Sequence, residues 1–140
     1  MSLTPEQKHL VESAREICGH FPLRSNEWAF ETYSAGGVAA AVQSSKGNIY
    51  TGISFDLACG IGFCAESSAV AEMLKHMETH ITNAIAKCGD IILSPCGRCR
   101  ELFAQLDARN LDMNVIVASD KVVSLGELLP IHWLYIQAEI

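Results

Sequence analysis

Apolar residues along the chain follow two periods, and the alternation between them predicts the elements. Leu10, Val11, Ala14, Ile17 and Cys18 recur at helical spacing. They follow Thr4-Pro5-Glu6-Gln7, which reads as a helix start, with Thr as N-cap, Pro at the first helical position and Gln closing a capping box. Gly19 is a stop signal, and residues 20–35 carry no period that assigns them. "GGVAAAVQS" and "NIYTGIS" read as two strands, joined through Ser45-Lys46-Gly47 into a hairpin. A Gly-containing loop is expected over 53–63, then a helix with Ala69, Val70, Met73, Leu74 and Met77 on one face. "DIILS" predicts a short strand ending at Pro95, and Leu102, Phe103 and Leu106 a further helical stripe. "NVIVAS" and "KVVS" are strand-like, and Ser124 with Glu127 makes a second capping box before "LGELLP". Strands alternating with helices predict an α/β sheet covered on both faces.

The chain has 140 residues, with no repeat, low-complexity tract or linker, which predicts a single domain over residues 1–140. The longest apolar run, around "GGVAAAV", is far short of the about 20 residues that span a bilayer. The first residues carry no basic region followed by an apolar one, so no signal peptide is expected and the expected location is cytoplasmic. A net charge of −6 with scattered basic residues argues against a nucleic-acid partner, since that affinity comes from clustered Lys and Arg. Arg98 and Arg100 are the one close basic pair.

Six cysteines in such a chain point to metal or catalysis rather than to a disulfide framework. Cys18 and Cys88 read as small buried hydrophobes, and Cys59 is set apart only by lying near the motif. Cys96-Gly97-Arg98-Cys99 is a CxxC, which serves either a thiol redox pair or half of a zinc site. Cys64 tips the balance, because a redox pair needs no third, distant cysteine. Three thiolates with an open fourth position describe a catalytic Zn²⁺ site. Cys64 and Cys96 both stand at loop-to-helix junctions, where free N–H groups and the helix dipole stabilise a thiolate.

Glu66 then has a task. Zinc lowers the pKa of water to about 7, and a carboxylate beside it can take the proton and return it elsewhere. Zinc deaminases carry a ligand, one residue, a non-ligand Glu, then P-C-x-x-C, and "CAE…PCGRC" has those types in that order. His76-Met77-Glu78 also spells H-x-E, but the helical period puts it mid-helix, away from the loop. His76 and His80 read as surface residues, since "HMETH" lacks the adjacent Glu of HExxH.

With "CAE" at 64–66, "SPCGRCRELF" at 94–103 and "GELLP" at 126–130, the chain resembles the cytidine deaminase family over roughly residues 36–130. The resemblance implies a three-layer α/β/α sandwich with a five-stranded mixed sheet and a homotetramer with sites at subunit interfaces. It implies that Cys64, Cys96 and Cys99 bind zinc and that Glu66 shuttles protons. Ala65 and Ser94 would contact the pyrimidine through their backbone. Water would add at C4 of a cytosine ring, with Glu66 protonating N3 and then the leaving amino group, giving a uracil product and ammonia. Two departures narrow the kinship. Where ordinary members read GxNxE for the ribose, this chain has Gly52-Ile53-Ser54-Phe55-Asp56, so Ser54 and Asp56 take those places with shorter reach. Ordinary members follow CAE with an Arg that bonds the thiolates; here Ser67 stands there and Arg98 lies inside the CxxC, as in blasticidin-S deaminases. Arg98 is therefore expected to offset the charge of the thiolates.

The expected function is a zinc-dependent deaminase of a small cytosine nucleoside or analogue, cytidine, deoxycytidine or blasticidin S. Alternatives are a non-catalytic zinc protein of this fold, a deaminase of another amino-heterocycle, a nucleic-acid editor, and a thiol redox protein. Family members often end on an aromatic that covers a neighbour's site, a place Trp133, His132 or Tyr135 would fill. Read on its own, "IHWLYIQ" is an apolar tail packed on its own subunit.

Overall fold

The computed structural model describes residues 2–19, 21, 22 and 33–135. In chain order it contains α1 (Pro5–Ile17), β1 (Phe21–Pro22), β2 (Ser34–Ser44), β3 (Ile49–Asp56), α2 (Ala65–Lys75), β4 (Ile81–Cys88), β5 (Ile91–Leu93), α3 (Gly97–Leu106), β6 (Asn114–Ala118), β7 (Lys121–Ser124) and α4 (Leu125–Leu128). Short 3₁₀ turns occupy Ala58–Gly60 and Ala108–Asp112. All strand pairs are antiparallel except β4 with β6, so the sheet is mixed. Among the described residues seven strands take part rather than the expected five. The difference is small in substance. Ala39–Gln43 pair with β3 on one edge and β4 on the other, so the sheet runs β3-β2-β4-β6-β7 across its middle. The short β1 and β5 extend it at the ends of β2 and β4.

Helices cover both faces and make three layers. Leu10 and Ala14 of α1 pack with Ala41, Ile85 and Ile116 on one face. Ala69, Val70 and Met73 of α2 and Phe103 of α3 pack with Ala40, Val42, Ala84 and Ala86 on the other. Both capping boxes form as the sequence predicts: Thr4 with Gln7, and Ser124 with Glu127. The hairpin turns where expected, with Gly47 at φ +87°.

The central strand β4 was not predicted, and its composition explains why. Ala84 and Ala86 lie under α2 and α3, where small side chains let the helices approach, and alanine carries little strand signal. Asn83 is buried but accepts from Gln7 and Asn114 at 3.3 Å and donates to Gln43 at 2.8 Å. Two further expectations are corrected. The segment 53–56 continues β3 rather than opening a loop. Helix α2 stops at Lys75 and turns through His76 and Met77, the latter at φ +59°, so residues 76–80 lie beyond the helix and not in its middle. Leu74 and Met77 face solvent as a result, while Glu78 turns inward and accepts from Tyr50 and Asn48 at 2.7 Å. His76 is exposed and His80 half-buried.

Gly52 sets how closely α2 sits on the sheet. A Cβ there would fall against the Ala69 backbone nitrogen, 2.5 Å from the Ala65 carbonyl oxygen and 2.6 Å from Ser68 Cβ. All three belong to the first turns of α2, so the neighbours cannot yield by rotating a side chain. Gly52→Ala is expected to destabilise the protein by about 1–3 kcal/mol, the usual cost of overpacking, read by denaturant unfolding. A change inside about 0.5 kcal/mol, the range of ordinary surface substitutions, would show instead that α2 slides freely on β3.

Candidate active site

Two helix starts face each other and bring three thiols together. Cys64 is the N-cap of α2 and Cys96 the N-cap of α3, and neither cap is made by a side-chain hydrogen bond. Their sulfurs therefore stand beside the free N–H groups of each first turn. Cys99 lies one turn into α3 and is fully buried. The Sγ atoms are 3.7 Å apart for Cys64 and Cys96 and 3.5 Å for Cys96 and Cys99, and all three lie within 4.8 Å of one another.

The protonation of this cluster fits a cation site. Burial pushes the Cys64 thiol up, and the neighbouring Cys96 adds to it. Burial, then the negative Glu66, pushes Cys99 up strongly. Burial would also raise Cys96, but the Cys99 backbone N–H and the thiols of Cys99 and Cys64 bring it below its ordinary value. Two of the three thiols are thus held above their ordinary value and one below it; a dication bound by all three would stabilise them as thiolates. Among the described residues no other group of three metal-binding side chains converges in this way.

The cluster lies at the wall of a cavity of about 630 Å³. Ala65 and Glu66, the first residues of α2, line it; Ala65 is fully buried and Glu66 is 6 % exposed. Ser54 also lines it. Its hydroxyl oxygen accepts the Val38 N–H at 3.0 Å, where the β2–β3 register shifts between Ala35 and Ala39. That bond holds the bulge and leaves the Ser54 hydroxyl hydrogen free to donate into the cavity. Asp56 is exposed at the end of β3 and accepts from the Ser34 hydroxyl at 3.4 Å. Phe55 and Phe63 close the loop between them by a two-bond bridge, their rings edge to face at 4.0 Å. Ser94 and Arg98 complete the opposite wall, both exposed.

All nine sequence-predicted site residues line or adjoin this one cavity. Eight line it directly, and Cys99 joins through its sulfur contact with Cys96. Arg98 makes no hydrogen bond to any of the three thiols, so an effect of its charge on them would act without direct contact. Of the cysteines outside the cluster, Cys88 is exposed and lines the cavity, which corrects its reading as a buried hydrophobe. It sits at the end of β4, the strand the sequence did not predict. Cys18 is half-buried, with its sulfur accepting the Gly89 N–H at 3.2 Å, and Cys59 is exposed in a left-handed turn at φ +60°. The C-terminal aromatics pack only in part on their own subunit: Trp133 is 73 % exposed and Tyr135 50 %, while His132 is half-buried and the Trp133 backbone N–H donates to the Glu101 carboxylate at 3.0 Å. Residues 136 and 137 of that tail lie outside the described residues.

Comparison with known proteins places this geometry. The family model "Cytidine and deoxycytidylate deaminase zinc-binding region" matches residues 20–117. Among solved structures, the cytidine deaminase from Mycobacterium tuberculosis superposes with a TM-score of 0.72 at 20% identity, covering 93% of this chain and 98% of that one. The cytidine deaminase from Bacillus anthracis gives 0.69 at 22%, covering 97% and 94%. The enzyme from Burkholderia pseudomallei gives 0.66 at 20%, covering 94% and 100%. At these identities the superpositions establish the shared α/β fold. The zinc-binding description agrees with the three-thiol cluster, and Zn²⁺ is the cofactor. The chain belongs to the cytidine and deoxycytidylate deaminase zinc-binding family.

Proposed function

We propose that the protein is a zinc-dependent hydrolytic deaminase of a cytosine nucleoside or close analogue, cytidine, deoxycytidine or blasticidin S, releasing ammonia. The observation that carries the reading is the buried Glu66 carboxylate in the same cavity wall as the three thiols. A structural metal site has no need of it. In this reading Cys64, Cys96 and Cys99 hold the metal, which when bound supplies a Lewis acid that makes water a usable nucleophile near neutral pH. Glu66 takes one proton from the attacking water and delivers it to the ring N3, then takes the second from the hydroxyl formed on C4 and delivers it to the departing amino group. Water adds at C4, the C4–N bond breaks, and the products are the uracil compound and ammonia. The backbone at Ala65 and Ser94 orients the pyrimidine. Ser54 donates and Asp56 accepts toward the sugar or its replacement, and Arg98 offsets the negative charge of the ligand set through space.

The carboxylate of Asp56 at the mouth and the overall charge of −6 favour a neutral or cationic small molecule over a nucleic acid. Among the described residues no helix is long and apolar enough to cross a membrane. The six free cysteines support a cytoplasmic location, which we propose. We also propose a homotetramer, on the support of the solvent-facing Ile131, Trp133 and Tyr135 at the C-terminal end of the described chain. The deciding experiment is ammonia release by the zinc-loaded protein with cytidine, deoxycytidine, deoxycytidylate and blasticidin S. Turnover of a nucleoside or of blasticidin S is expected. No turnover across the panel with one zinc per chain would favour the non-catalytic reading or another amino-heterocycle.

A further inference from the structure

Arg100 is the most heavily engaged cation beside the cavity, and it touches neither the thiols nor the cavity itself. Its backbone N–H closes the first turn of α3 on the Cys96 carbonyl at 3.0 Å. Its side chain turns back and donates from Nε to the Pro95 carbonyl at 2.8 Å and from Nη2 to the Ser94 hydroxyl at 3.3 Å. Its remaining arm, Nη1, donates to the Leu128 carbonyl at 3.0 Å. Leu128 is the last residue of α4, so that carbonyl has no partner within its own helix. One planar fork thus satisfies three acceptors on two segments, the second of them 28 residues along the chain from Arg100.

The segment it holds is Ser94-Pro95-Cys96. Ser94 lines the cavity and Cys96 is the N-cap sulfur of the cluster, with no side-chain bond of its own to fix the cap. Proline at 95 has no N–H to donate, so the backbone before Cys96 depends on acceptor-side contacts for its position. We infer that Arg100 is a positioning residue: its guanidinium fixes the Ser94–Cys96 backbone against α4, and so sets both the Cys96 sulfur and the Ser94 wall of the substrate cavity. The inference rests on the reading that these thiols hold zinc and that Ser94 faces substrate. A surface arginine at this place would lose its contacts at little cost; removal of this one takes the donor from two part-buried carbonyls, those of Pro95 and Leu128, as well as from the exposed Ser94 hydroxyl.

The test uses the full-length zinc-loaded protein with Arg100→Ala, Arg100→Lys and Ser94→Ala. Zinc release into a chromogenic chelator, well below the unfolding midpoint, reads the coupling without any turnover. Release is expected to accelerate about 10- to 100-fold in Arg100→Ala, the usual cost of removing a partner of a ligand. Arg100→Lys should fall nearer to the alanine variant than to wild type, because one ammonium cannot span three acceptors. Ser94→Ala removes one of the three bonds and should show a smaller effect that does not add to that of Arg100→Ala. With the substrate identified in the panel, KM is expected to rise in Arg100→Ala. A purely structural arginine predicts a lowered unfolding temperature with zinc release and KM within about twofold of wild type, inside the scatter of neutral substitutions, and that result overturns the inference. Should Arg100→Ala fail to fold, the lysine variant and Ser94→Ala carry the same readouts. A wild-type protein that binds zinc yet turns over nothing sinks the proposed function but leaves the release experiment decisive for Arg100.

Discussion

Glu66→Gln is expected to lower turnover by about 10²- to 10⁴-fold, the range for loss of a general acid–base, while one zinc per chain stays bound. Glutamine keeps the size and hydrogen-bonding reach of the side chain but can neither take nor return a proton. Glu66 sits in the first turn of α2, two residues beyond Cys64, and 94 % of it is shielded, so a substitution of equal volume leaves the packing intact. Its carboxylate is not part of the thiol cluster, and its negative charge raises the thiol pKa values rather than lowering them. Removing that charge therefore gives the metal no reason to leave. Ammonia release and zinc content measured on the same preparation separate the outcomes. Unchanged turnover would remove Glu66 from the chemistry. Loss of zinc together with turnover would make it part of the metal site instead.

Cys99→Ser is expected to leave less than stoichiometric zinc after dialysis and no measurable deamination. Of the three sulfurs, Cys99 is the one fully buried in the core between α2, α3 and the sheet. A serine hydroxyl does not ionise near neutral pH and is a hard donor where zinc favours thiolate. The unfolding temperature should fall as well, because zinc bound only to the folded state contributes its binding energy to folding. Cys59→Ser is the matched control. That thiol is exposed and outside the cluster, and the variant should keep its zinc. Full zinc content in Cys99→Ser would take this residue out of the ligand set.

The places where sequence reading succeeded share a physical feature: the information is local. The Thr4–Gln7 and Ser124–Glu127 boxes close within three residues, and the turn of the β2–β3 hairpin within five. The site itself was legible because thiols, a carboxylate and a proline at fixed offsets serve few chemistries. What failed was non-local. The strand β4 pairs with β2, β5 and β6, and its Asn83 is tolerated only because side chains from α1, β2 and β6 reach it. Apart from β5, its hairpin neighbour, those partners lie far along the chain, and these partners of Asn83 are 31 or more residues away. Missing β4 also hid where α2 ends and which face Cys88 takes.

Arg100 makes the same point at the site. In sequence it was one member of a close basic pair, and Arg98, inside the CxxC, drew the functional reading. In the structure Arg98 stands in the cavity wall without a bond to sulfur, while Arg100 ties together chain segments that no local pattern connects. By itself the sequence determined the α/β class, the helix caps, the cysteine and glutamate set and the family, because each depends on residue type at short spacing. Only the tertiary structure decided that two helix starts meet, that β4 lies at the centre, and which arginine holds the ligand loop. Those depend on pairings between distant segments, which are selected by how the whole core packs rather than by any stretch of chain.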